Sequence, residues 1–186
     1  MVLYIGNLSQ GAKHKSFDIL LKAWAEVCAE NEDILLSIAG GGDVRPWKQM
    51  ASDLGCGESV RFEGHVKDIS RLLAKAALFV LPSRGEGISN ALLEAQSCGI
   101  PAVVTDIPGN TEVVLHGETG IVVPVDDVSG LSEAILKLMA DDDTRERMGA
   151  KARQHIIEKY SIRSVVDRVC NVYEEMSTGR ASRSLV

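Results

Sequence analysis

The 186-residue sequence lacks a basic excess: 20 Lys and Arg stand against 26 Asp and Glu, for a formal net charge of −6. A nucleic-acid binder usually gathers a surplus of Lys and Arg on one face, so nucleic acid is not expected as a partner. The sequence also lacks paired cysteine spacing. Cys28, Cys56, Cys98 and Cys170 stand apart, with no histidine cluster beside them. That argues against a disulfide framework or a zinc site and fits a reducing, cytoplasmic compartment. Three of the four fall in apolar-patterned segments, which reads as buried thiols. No apolar run reaches the ~20 residues that span a bilayer. Val2-Leu3-Tyr4-Ile5 behind Met1 is too short for a signal peptide. Internal repeats and low-complexity blocks are absent. What is left has the balance of an ordinary globular domain, long enough for one buried core.

Short apolar runs alternate with helical patterns along the chain. Strands are expected at residues 2–5, 34–39, 60–62, 78–81, 101–104 and 121–123. Helical spacing marks residues 17–28, 45–54, 69–73, 89–98, 131–139, 145–159 and 162–176. Pro46 suits a first helical turn, and Gly99 is placed to end a helix. Asp126-Asp127 and Asp141-Asp142-Asp143 read as helix caps rather than a metal cage. Apolar strands alternating with helices predict an α/β domain, an open parallel sheet of Rossmann type with helices on both faces. It spans residues 1–176, and the small polar tail 177–186 is expected to be disordered. Because the first residues already form a core strand, the chain reads as a piece of a longer protein.

In such sheets ligands bind beyond the carboxyl ends of the strands. Four loops there stand out. Ser83-Arg84-Gly85-Glu86-Gly87-Ile88-Ser89-Asn90 joins a strand to a helix. Its glycines permit a close backbone approach, and the helix start offers free N–H groups to an anion. A plain strand–helix turn with Ser89 as N-cap accounts for the glycines as well. Glu86 and Glu94 are two carboxylates with seven residues between them. Glu94, placed between Ala91 and Cys98, falls on the apolar side of the helix, where a carboxylate needs hydrogen-bond partners such as ribose hydroxyls. A glutamate at the stripe edge that reaches water fits the spacing equally. Gly6-Asn7-Leu8 runs into Lys13-His14-Lys15, whose ammonium groups suit a diphosphate or form a solvated basic patch. Gly40-Gly41-Gly42 and Gly64-His65 suit a base or ribose, or satisfy turns.

Together these residues resemble the donor-binding domain of glycosyltransferase family 4, the group 1 glycosyl transferases. The likeness covers residues 2–175 and is most specific from Leu81 to Val125. There the chain reads Pro82-Ser83, Glu86-Gly87, Ser89-Asn90, Leu93-Glu94-Ala95, Cys98-Gly99, Pro101-Ala102-Val103, Gly109-Asn110, Glu112-Val113 and Gly117-Glu118-Thr119-Gly120. The resemblance implies one half of a two-domain GT-B enzyme, with an N-terminal acceptor domain outside this chain. It implies that Glu86 contacts the donor sugar and Glu94 holds the ribose hydroxyls. Backbone N–H groups of Gly87, Ile88, Ser89, Asn90 and Ala91 would bind the diphosphate. Gly64-His65 would lie against the base, and Lys15 falls on the family's diphosphate lysine, with Lys13 beside it. Gly6, Asn7, Gly40 and Ser83 complete the expected donor site. Asn7 stands where many members have arginine, and Ser16 where glycine is common.

The implied reaction transfers a sugar, with retention and without a metal or other cofactor, from a nucleoside-diphosphate sugar. The acceptor would be a glycan or a lipid-linked sugar, the latter placing the full-length protein at a membrane. Lys15 and Glu86 are the expected catalytic groups. The helix at 162–176 resembles the one that crosses back to the other domain, so Val165, Val166, Val169 and Tyr173 are expected to be partly exposed without it. A nucleotide-sugar 2-epimerase of the same fold, or a non-catalytic nucleotide-sugar-binding module, would share the donor features. A dinucleotide oxidoreductase would want Gly-x-Gly-x-x-Gly after the first strand, which Gly6-Asn7-Leu8 does not supply.

Overall fold

The computed structural model describes residues 1–9 and 16–177. Mostly apolar runs become strands buried on both faces: β1 (Val2–Ile5), β2 (Leu36–Ala39, with Ser37), β4 (Leu78–Leu81) and β5 (Ala102–Thr105, ending in Thr105). The less buried β3 (Val60–Gly64) and β6 (Gly120–Val123) take the two edges. All pairings are parallel, and the strand order is β3-β2-β1-β4-β5-β6. This is the doubly wound order, as expected.

The helices are α1 (Phe17–Glu30), α2 (Arg45–Asp53), α3 (Ser70–Leu73), α4 (Asn90–Ser97), α5 (Pro108–Thr111), α6 (Val128–Met139), α7 (Asp142–Tyr160) and α8 (Ile162–Ser177). Right-handed crossovers place α1 and α2 on one face and α4 on the other. Packing follows: α1 lies against α6 and α2, and α4 against α7. The core centres on Trp24, Tyr4, Leu3 and Phe79, all fully buried. Trp24 also satisfies its indole N–H on Ser59 Oγ at 2.9 Å.

Several boundaries differ from the sequence pattern, for local reasons. α6 and α7 each start three residues before the expected position, because an aspartate caps them. Asp127 Oδ1 accepts from the Gly130 N–H, and Asp141 Oδ1 from the Thr144 N–H, each at 2.9 Å. Gly99 ends α4 with φ +77°, in the left-handed region. The expectation of buried thiols fails for the three cysteines of the helical segments, and the buried thiol is instead Cys56, in the turn after α2. Cys28 is half-buried, Cys98, the C-cap of α4, is exposed, and so is Cys170 on α8. α8 carries Ile162, Val165, Val166, Val169, Val172, Tyr173 and Met176 exposed, so the expected apolar stripe is there and is longer. The tail beyond Ser177 lies outside the described residues. Among the described residues no helix is long and apolar enough to cross a membrane.

Candidate functional site

The strand order reverses between β1 and β4, and a doubly wound sheet opens its crevice at that point. The loops after β1 and β4 therefore flank one rim. On the β1 side, main-chain bonds stitch neighbouring loops together. The Gly6 N–H donates to Ala39 O at 3.0 Å, Leu8 N–H to Gly41 O at 2.9 Å, and Gly40 N–H to Gly64 O at 2.8 Å. The Trp47 indole N–H donates to Leu8 O at 2.7 Å. Gly40 has a packing reason to be glycine: a Cβ there would collide with the Gly6 carbonyl oxygen. Asn7 uses its Oδ1 on its own turn, accepting from the Ser9 N–H at 2.9 Å and the Ser9 hydroxyl at 2.8 Å. His65 is exposed and follows Gly64, whose φ of +69° places it in the left-handed region. Lys13 and Lys15 lie outside the described residues.

On the β4 side, Ser83 is fully buried and its hydroxyl donates to Glu86 Oε2 at 2.9 Å. Glu86 is half-buried, whereas Gly87, Ile88 and Asn90 are exposed and Ala91 is half-buried. Ser89 sits at the N-cap of α4 as expected, yet its hydroxyl makes no capping bond. The Leu93 N–H donates to Ser89 O at 3.0 Å, so the N–H groups before it have no turn behind them to meet. The uncapped positive end of α4 thus opens on the same rim as Glu86. Arg84 anchors the loop sideways, 2.6 Å from Asp126 Oδ1 and 3.5 Å from Asp18 Oδ1.

The loop is held from below by residues of β5 and α5. The Thr105 hydroxyl donates to Ser83 O at 2.5 Å. Asn110 Nδ2 donates to Thr105 O at 3.0 Å and to Thr105 Oγ1 at 3.2 Å. Gly109 abuts the loop so closely that a Cβ would collide with the carbonyl oxygens of Glu86 and Gly87. Tyr4 lies beneath Gly6, its hydroxyl buried and without a hydrogen-bond partner among the described residues. Burial first, and the Glu86 charge second, push the Tyr4 phenol far above its ordinary range.

One expected feature is corrected. Glu94 is exposed, not on the apolar side of α4. Leu92, Ala95 and Gln96 form the buried stripe. Glu94 stands roughly 200° around the helix from Leu92 and roughly 100° from Ala95, which turns it outward with Cys98. The sequence pattern also assigned no role to Thr105, Gly109 or Asn110. Gly109-Asn110 was the available signal, but a four-residue helix carries no periodicity to show which way its side chains face.

A family model described as "Glycosyl transferases group 1" matches residues 1–141. The chain belongs to this family. It is 28% identical over 170 residues to N-acetyl-alpha-D-glucosaminyl L-malate synthase from Bacillus anthracis, covering 91% of this chain and 45% of that protein. It is 31% identical over 180 residues to a phosphatidyl-myo-inositol mannosyltransferase from Mycobacterium leprae, covering 95% and 47%. The chain thus spans less than half the length of these relatives. Among solved structures, a TarM variant from S. aureus in complex with UDP superposes with a TM-score of 0.85 at 25% identity, over 92% of this chain and 35% of that one. The sheet is that of the GT-B glycosyltransferases.

Proposed function

We propose that this group 1 chain is the donor-binding part of a retaining, metal-independent glycosyltransferase that takes its sugar from a nucleoside diphosphate. The observation that carries the reading is the rim after β4. A half-buried carboxylate, Glu86, is fixed by Ser83 beside an uncapped helix N-terminus. A helix start favours phosphate, and a carboxylate accepts sugar hydroxyls; the two together suit a sugar diphosphate ester. UDP in the TarM complex supports a nucleotide donor. Exposed Glu94 is accessible to ribose hydroxyls, and exposed His65 to the base.

As the glycosidic bond breaks, negative charge grows on the leaving diphosphate. The N–H groups from Gly87 to Ala91 and the Lys15 ammonium would meet that charge, and such preorganised donors lower the barrier. Glu86 holds the sugar in place and forms no covalent intermediate. In this reading the remainder of the protein brings the acceptor, a glycan or lipid-linked sugar, and covers the apolar stripe of α8. The setting is cytoplasmic.

Calorimetric titration of the chain with UDP, GDP and ADP tests the reading. One of the three is expected to bind, and Glu94→Ala to weaken it by about tenfold, the loss of charge-assisted hydrogen bonds. Binding of none of them by the folded chain rejects it.

A further inference from the structure

A glutamate on a glycine-flanked loop has freely turning side-chain bonds and no reason to hold one direction. Glu86 is held nonetheless, by a loop neighbour that is itself anchored from outside the loop. Its Oε2 accepts from Ser83 Oγ at 2.9 Å. The Ser83 peptide is gripped in turn by the Thr105 hydroxyl at 2.5 Å. That hydroxyl has one proton; it goes to Ser83 O, so Thr105 Oγ1 is left as the acceptor for Asn110 Nδ2 at 3.2 Å. The chain of donors therefore has one direction, from Asn110 through Thr105 to the Ser83 carbonyl. Ser83, Thr105 and Asn110 are all buried at 0–1% exposure, so water cannot replace a lost link.

Resting on the donor-site reading above, we propose that Thr105 and Asn110 are positioning residues that aim the Glu86 carboxylate at the sugar of the donor through Ser83. A carboxylate repels phosphate and accepts hydroxyls, so its aim registers in the sugar and not in the diphosphate. Neither Thr105 nor Asn110 needs to touch the ligand. Loss of the relay should separate two affinities that an intact site keeps together.

The probes are UDP, GDP and ADP, then UDP-glucose, UDP-N-acetylglucosamine and GDP-mannose, titrated into the chain by calorimetry. Thr105→Val removes the hydroxyl at nearly constant volume; Asn110→Ala removes the amide donor that orients that hydroxyl. Both variants are expected to keep the nucleoside diphosphate affinity and to lose about tenfold for the sugar nucleotide. Thr105→Ser, which keeps the hydroxyl, is expected to restore it. Equal losses for both ligand types, or no loss for either, overturn the relay while leaving the donor site standing. If Thr105→Val melts below the assay temperature, the Asn110→Ala and Thr105→Ser pair decides alone. Failure of the unaltered chain to bind any of the nucleoside diphosphates overturns the donor-site reading itself, and the relay with it.

Discussion

Gly109 lies directly against the Glu86–Gly87 peptide, leaving no room for a side chain between α5 and the rim loop. Gly109→Ala must push two backbone carbonyls aside. Overpacking of this kind costs about 1–3 kcal/mol. A fall in melting temperature with weakened nucleotide binding is expected from thermal melts and titrations. A variant that binds and melts like the parent shows that the loop yields freely.

Lys15 lies outside the described residues, and the role proposed for it rests on the family's pattern. In the complete enzyme Lys15→Ala is expected to lower turnover by about 10²–10³-fold, the usual loss for one preorganised donor at a developing anion. Steady-state kinetics under saturating donor is the measurement. Parental turnover removes Lys15 from that position.

Ser16 enters α1 with φ +50° and ψ +39°, the left-handed region. Its side chain is buried, and Oγ has no partner among the described residues. A non-glycine residue there carries roughly 1–2 kcal/mol of strain, only partly offset by the extra freedom glycine has in the unfolded chain. Ser16→Gly is therefore expected to raise the melting temperature by about 1–3 °C. A lower melting temperature would mean that the hydroxyl does something useful.

Alkaline pH should weaken the fold. Burial first, then the Cys28 charge, pushes the Cys56 thiol up to about 11. An unfolded thiol ionises near pH ~8.5, so across that window the folded chain binds more protons than the unfolded one. The stabilisation is complete below the window and is lost as pH rises through it. Tyr4, also raised by burial and then by Glu86, adds a loss of the same sign at still higher pH. Urea midpoints at neutral and alkaline pH read this directly, and Cys56→Ala should flatten the decline. Midpoints that climb with pH would contradict the assignment.

The fold was legible because β1, β2, β4 and β5 are short, mostly apolar runs buried on both faces, and amphipathic stretches separate them. The rim loop was legible because Gly85 and Gly87 bracket Glu86 ahead of a helix. Glu94 was misplaced because Ala91 and Cys98 were weighed as apolar. The phase of α4 is set instead by Leu92 and Ala95, with Gln96 buried beside them and donating to Thr119 O at 3.1 Å. The Asn110–Thr105–Ser83 chain could not be read, since it joins three segments that touch only after the sheet has formed. Helix starts moved with Asp127 and Asp141, whose caps outrank the first apolar residue.

All six strands run in one direction, so the loops that follow them start from the same side of the sheet. Rewriting those segments leaves the apolar strand interiors untouched. If the proposed donor site is right, a lineage can exchange one base or sugar for another by altering connectors alone, with the scaffold's durability held separate from its choice of ligand.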